Sequence, residues 1–215
     1  MACPYDVTAA KRDLLHYGRK IAERLLVVGP GGNTSARAGG LVVMKASGVA
    51  LEDCAEDDYI PVDLATGEVI GSAKHPSSEI FLHLACYLKR PDVHAVVHTH
   101  PPIATALATT GKSLPPLYPD LIAFVGPVIP TLPYIVPAGK KLANAVAAVI
   151  GEHQAVLLSN HGLITVGANV REAYFRNLLI EEAAKTWLAA CTLGTPRLLS
   201  PEEIHEEVDN NCQSI

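Results

Sequence analysis

Ala95-Val-Val-His-Thr-His100 decides how this chain folds and where its chemistry lies. The Ala-Val-Val run is stiff and apolar and reads as a buried strand. Alternate strand residues point to one face and sit about 6–7 Å apart, from a rise of roughly 3.3 Å per residue. Two imidazoles at that spacing can grip one metal ion, each nitrogen about 2.0–2.1 Å from zinc. A third histidine ends a second apolar strand in Ala155-Val-Leu-Leu-Ser-Asn-His-Gly162. Gly162 would let the backbone turn directly after the His161 imidazole. His98, His100 and His161 are therefore the candidate metal ligands. Three neutral ligands leave a divalent ion its full charge and an open coordination position, as catalysis requires.

Outward from this strand, a helix is predicted from Ser77-Ser78-Glu79 to about Lys89, ended by Pro91 and Asp92. A short helix over 101–110 follows, then a Pro-rich passage from 115 to 137. A further helix spans 140–150, and strands near 154–159 and 162–166 flank His161. Toward the amino end, a helix is expected over 7–27, with Leu14, Gly18, Ile21 and Leu25 on its buried face. The Gly29-Pro-Gly-Gly-Asn33 turn leads to strands over 33–37 and 41–45, joined at Ala38-Gly-Gly40. Tyr59–Asp63 and Glu68–Ile70 bracket a Thr66-Gly67 turn. Asn169-Val-Arg-Glu172 opens a long helix to about Cys191, and Ser200-Pro-Glu-Glu203 opens another. Strands that alternate only in part with helices predict one layered α/β domain, residues 1–215, with a mixed sheet.

Composition excludes several classes. The 215 residues carry a net charge of −5, and the 17 Lys and Arg residues are scattered, which argues against nucleic acid or an anionic membrane as partner. No apolar run approaches the roughly 20 residues of a membrane span. The amino terminus lacks the basic start and apolar core of a signal peptide, so a cytoplasmic location is expected. Five cysteines without a paired spacing suit a reduced compartment, with Cys86 and Cys191 read as small core residues. Among the other histidines, His16 and His83 fall on helices, and His94, His153 and His205 read as surface or cap positions. His75 reads as a loop residue.

Glu79 has two open readings. It is a carboxylate favoured by a helix N-terminus, or it is a general base or displaceable fourth ligand beside the metal. Gly32-Asn33-Thr34, Ser47-Gly48-Val49 and Ser77-Ser78 are small-residue turns whose backbone N–H groups and hydroxyls can cradle an anion. Lys45 and Lys74 lie nearby, either adding positive potential or simply solvated.

Gly31-Gly-Asn-Thr-Ser35, Ala46-Ser-Gly-Val49, Pro76-Ser-Ser-Glu79, Val96-Val-His-Thr-His100 and Ser159-Asn-His-Gly-Leu163 occur in the order and spacing of the class II aldolase/adducin family. The resemblance runs from about residue 10 to 205 and is closest to the family's ketose-1-phosphate aldolases. It implies a three-layer α/β/α domain with a mixed, mostly antiparallel sheet, forming a homotetramer with active sites between subunits. It implies zinc on His98, His100 and His161, with manganese or cobalt as other ions that suit imidazole. Glu79 resembles the catalytic acid/base, and Gly32, Asn33, Ser47, Gly48, Ser77 and Ser78 match the phosphate-binding positions. The implied activity is cleavage of a sugar phosphate, a ketose 1-phosphate, to dihydroxyacetone phosphate and an aldehyde through a metal-stabilised enediolate.

Departures fall on the aldehyde side. The family's tyrosine from a neighbouring subunit aligns with Pro119, and a one-residue loop shift brings Tyr118 to that role. A second tyrosine near the carboxyl end has no counterpart in Asp209–Ile215. Three alternatives follow from related enzymes and proteins. Decarboxylation of a keto acid passes through a similar intermediate, and Pro133–Gly139 is reminiscent of sugar-acid-phosphate decarboxylases, although those place lysine where Ser78 stands. An epimerase would carry an acidic residue near Ile122, from which Asp120 is displaced. A non-catalytic scaffold, as in the adducin head, would have lost metal ligands that are all present here.

Overall fold

The computed structural model describes residues 5–212. Seven strands form one sheet: β1 (Asn33–Ala38), β2 (Leu41–Lys45), β3 (Tyr59–Asp63), β4 (Ala95–Thr99), β5 (Thr131–Leu132), β6 (Ala155–Leu158) and β7 (Gly162–Gly167). Their order is β3-β2-β1-β4-β7-β6-β5, which puts the histidine strand β4 in the middle. Every pairing is antiparallel except β5 with β6. The sheet is thus mixed and mostly antiparallel, as the resemblance implied.

Helices cover both faces, because alternate strand residues bury to opposite sides. On one face α2 (Ile80–Lys89) and α5 (Lys140–Ile150) pack against Val42, Met44, Val96, Val156 and Ile164. On the other, α1 (Val7–Glu23) and α6 (Val170–Leu193) cover Val43, Ala95 and Val97. There α3 (Pro102–Thr109) and α4 (Pro119–Phe124) join α6 over Leu157 and Leu163. The last helix, α7 (Pro201–Cys212), packs on α4. Its start is a reciprocal capping box: Glu203 N–H donates to Ser200 Oγ at 3.2 Å, and Ser200 N–H donates to Glu203 Oε2 at 2.8 Å.

Several expectations are corrected. Helix α1 stops at Glu23, four residues short. Leu25 adopts φ 55°, and Leu26 N–H bonds back to Ile21 O at 3.1 Å while Leu25 N–H bonds to Ala22 O at 2.9 Å. This Schellman closure turns Leu25 out to 66% exposure and buries Leu26 and Val27 in its place. Glu68–Ile70 makes only one bridge, Val62 to Val69, because Asp63 Oδ1 accepts from Ala65 and Thr66 N–H and tightens the turn. Cys191 is exposed near the end of α6, beyond the reach of the core. His94 is buried beside β4 rather than on the surface. Cys54 and Cys86 are buried free thiols, and Cys3 lies outside the described residues.

Candidate metal centre

One end of the sheet collects the residues of interest: the start of β1, the ends of β2, β4 and β6, and the start of β7. His98 lies on β4 with no exposure, and its Nδ1–H donates to Leu163 O at 3.0 Å. That bond fixes the tautomer and leaves Nε2 with a lone pair. His100 follows the strand, its N–H held by Leu26 O at 3.0 Å. Just beyond it, the N–H groups of Ile103 and Ala104 donate to the buried Glu181 carboxylate of α6, which anchors α3 directly after His100.

His161 sits in the three-residue loop between β6 and β7. The turn is made by Asn160 at φ 57°, with His161 N–H bonded to Leu158 O at 3.1 Å. Gly162 therefore serves another purpose than the expected turn. A Cβ there would press on Thr99 O and lie 2.7 Å from His100 Cδ2, so only glycine lets β7 come this close to β4.

The three imidazoles converge. His98 Nε2 is 3.2 Å from His161 Nε2 and 3.2 Å from His100 Nε2, and all three ligand atoms lie within 4.8 Å of one another. Bonds of about 2.0–2.1 Å at tetrahedral angles would set ligand nitrogens roughly 3.3–3.4 Å apart. Burial, and secondarily the neighbouring His98, push His100 down to about 4; burial pushes His161 down to about 4 as well. Both are the neutral form that binds metal.

Glu79 occupies the residue before α2 but does not cap it. Its Oε2 is 3.1 Å from His98 Nε2, its Oε1 is 3.3 Å from His161 Nε2, and Oε1 has no hydrogen-bond partner. Burial opposes its ionisation, but His98, the Asn33 amide and His161 outweigh that and hold the carboxyl well below the usual carboxylate range. Three imidazole nitrogens thus face one point with the Glu79 carboxylate against two of them, an arrangement that fits a divalent cation.

The small-residue turns meet at the same edge. Ala46 and Pro76 form a bridge, Ser47 N–H donates to His75 O at 3.0 Å, and Ser77 N–H donates to Lys45 O at 2.9 Å. Ser47, Gly48 and Ser78 are exposed there, while Ser77 is buried. Gly32 and Asn33 open β1 beside them. Asn33 is 3% exposed, and its amide is engaged by Glu79 and His83, which leaves one N–H for any further ligand.

Neither lysine is solvated as a free cation. Lys45 is buried at 1% exposure, with Nζ donating to Val49 O and Pro30 O, and burial lowers its pKa. Lys74 pairs with Asp57 and Asp58 at 2.7 and 2.8 Å. Tyr118 precedes α4 and packs in the separate apolar cluster under α3 and α6. Burial, with Asp120 and Glu182 nearby, raises its pKa.

The sequence marks His83 only as a helix residue, yet it is fully buried one turn after Glu79. Burial, with His98 adding to it, pushes it down to about 3. Its only trace in the sequence is a polar line, Glu79, His83 and Tyr87 at four-residue steps, on an otherwise apolar helix.

Comparison with known proteins identifies the family. The profile of the Class II Aldolase and Adducin N-terminal domain matches residues 12–188. The 5-deoxy-D-ribulose 1-phosphate aldolase of Bacillus thuringiensis serovar kurstaki is 37% identical over 196 residues, covering 90% of this chain and 91% of that protein. The L-fuculose phosphate aldolase of Methanocaldococcus jannaschii is 34% identical over 178 residues, covering 83% and 95%. A solved L-fuculose 1-phosphate aldolase superposes with a TM-score of 0.89 at 31% identity, covering 94% of this chain and 95% of that one. The chain belongs to the class II aldolase and adducin family and is an enzyme of the class II aldolase type, a metal-dependent group of lyases. No helix among the described residues is long and apolar enough to cross a membrane.

Proposed function

We propose that this enzyme cleaves a ketose 1-phosphate reversibly into dihydroxyacetone phosphate and an aldehyde. The convergence of His98, His100 and His161, with the Glu79 carboxylate against His98 and His161 and one of its oxygens unpartnered, carries this reading. The three histidines would hold a divalent cation, zinc by resemblance, which when bound supplies Lewis acidity to the substrate's carbonyl and adjacent hydroxyl oxygens.

The protein's own groups do the rest. Gly32, Asn33, Ser47, Gly48, Ser77 and Ser78 supply backbone N–H groups and short polar side chains for the phosphate, a cradle that needs no lysine. Holding the phosphate keeps the carbon skeleton in register with the histidines. In cleavage the C4 hydroxyl gives up its proton, the bond between C3 and C4 breaks with its electron pair left on C3, and Glu79, having taken up a proton from solvent in exchange, delivers it to C3 to complete dihydroxyacetone phosphate. In condensation Glu79 removes that proton. Tyr118 enters as the group that exchanges a proton with the aldehyde oxygen, supplied by a neighbouring subunit of a homotetramer.

Both named sugars of the relatives are deoxy sugars ending in a methyl group, so the substrates to test first are 5-deoxyribulose 1-phosphate and fuculose 1-phosphate. The assay is release of dihydroxyacetone phosphate by protein purified without chelator. Metal-dependent release from at least one of these sugars is expected. Carbon dioxide from a 3-keto sugar acid, with no dihydroxyacetone phosphate from either ketose, would replace the aldolase reading by a decarboxylase.

A further inference from the structure

Behind Glu79 runs a buried polar chain that the proton transfer above leaves unused. Tyr87 Oη lies 2.7 Å from Ser35 Oγ, and Ser35 Oγ lies 2.6 Å from His83 Nδ1. His83 Nε2 lies 2.6 Å from Asn33 Oδ1, and Asn33 Nδ2 donates to Glu79 Oε2 at 2.9 Å. Helix α2 and its preceding residue supply Glu79, His83 and Tyr87 at four-residue steps. Strand β1 supplies Asn33 and Ser35 at a two-residue step. One helix face and one strand face thus zip together through polar groups in an interior that excludes water.

The direction of every bond follows from the carboxylate end. An ionised carboxylate only accepts, so the nitrogen end of the Asn33 amide must face Glu79. Its oxygen is then left for His83, which must donate from Nε2. An imidazole with its one proton on Nε2 accepts at Nδ1, so Ser35 donates its hydroxyl hydrogen there. Ser35 in turn accepts from the Tyr87 hydroxyl. Reversing any one bond leaves two donors or two acceptors face to face at under 3 Å, with no water to relieve them.

We propose that His83 is a positioning residue. It locks the Asn33 amide with its nitrogen toward Glu79, while Ser35 and Tyr87 hold His83 in the required tautomer. Glu79 Oε2 is thereby anchored, and Oε1, the oxygen without a partner, is the atom that takes and returns the proton. This inference rests on the reading of Glu79 as the proton-transferring group. It makes the orientation of that carboxylate depend on a histidine that never meets substrate.

Two measurements test it. Neutron diffraction from deuterium-exchanged crystals of the full-length, metal-loaded protein is expected to show deuterium on His83 Nε2 and none on Nδ1. Deuterium on Nδ1 would overturn the relay, because Asn33 would then turn its oxygen toward Glu79. In steady-state cleavage of a ketose 1-phosphate, His83→Leu is expected to lower kcat roughly 10–100-fold, with metal content per chain unchanged. KM should stay within about threefold of the parent. His83→Gln, whose amide nitrogen can stand in for Nε2–H, should recover at least half of the lost kcat on a logarithmic scale.

Equal damage from the two variants, or a loss carried by KM or by metal release, would reduce the chain to structural glue. If His83→Leu fails to fold, Tyr87→Phe replaces it and should lower kcat about 3–10-fold at parental KM. An unchanged kcat in Tyr87→Phe would also overturn the relay. If the parent protein cleaves no ketose 1-phosphate, the functional reading fails by itself, and the deuterium positions still decide the relay.

Discussion

At the scale of single residues, His98 and Glu79 should separate cleanly. His98→Ala removes a ligand fixed by its bond to Leu163 O, so stoichiometric metal should be lost on elemental analysis. Glu79→Gln keeps all three imidazoles and should retain metal while kcat falls roughly 10²–10⁴-fold, the range for loss of a general acid/base. Retained turnover would return Glu79 to the role of a helix-end carboxylate. Gly162→Ala offers an independent check on the architecture. Its methyl group would press against Thr99 O and His100 Cδ2, driving β7 off β4. Destabilisation of about 1–3 kcal/mol is expected in thermal unfolding, together with weaker metal binding in titration. The histidine trio was legible in the sequence because strand periodicity relates His98 to His100 and His161 ends a second apolar strand. His83 was not, because a buried histidine on an apolar helix looks the same whether it bonds to a core serine or steers a catalytic carboxylate.

At the scale of elements, α6 does more than cover the sheet. Its Glu181 carboxylate takes the first free N–H groups of α3 and so fixes the chain just past His100. Glu181→Ala would orphan those donors in the interior, at a cost of roughly 1–3 kcal/mol, and Glu181→Gln should recover part of it. Chemical denaturation of the three proteins reads this directly.

The 72–76 loop is held by Lys74 on Asp57 and Asp58. The Lys74 hydrogen bond, with that of Ala55 N–H, holds the Asp58 carboxyl below its ordinary value. A depressed carboxyl contributes stability that is present above its unfolded pKa and lost as pH falls through its folded one. Lys74→Ala should therefore lower stability only slightly at neutral pH, and the difference from the parent should begin to shrink near pH 4 and vanish as pH falls through the depressed Asp58 value. Stability curves of both proteins against pH measure it. The helix boundaries were largely readable from caps and periodicity, as in Ser200–Glu203. The end of α1 was not, since a leucine in the left-handed region at a Schellman closure has no composition signature.

For the molecule as a whole, the candidate metal site joins β4 to the loop between β6 and β7, with His98 and His161 63 residues apart in the chain. A cation bound only by the folded chain stabilises it by mass action, by about 2.7 kcal/mol at a hundredfold excess over Kd. Removal by chelator should lower Tm, and adding back zinc, manganese or cobalt should restore it in order of affinity, as read by calorimetry. The layered α/β class, the two histidine strands and the small-residue turns are legible in the chain alone, because they are written in short-range periodicity and spacing. That Glu79 faces the histidines, that Asn33 and His83 stand behind it, that Lys45 is buried and that Gly162 is needed for contact between strands emerges only from the folded arrangement. Those facts depend on which strands become neighbours, and neighbour order arises from the packing of the whole sheet rather than from any local stretch of chain.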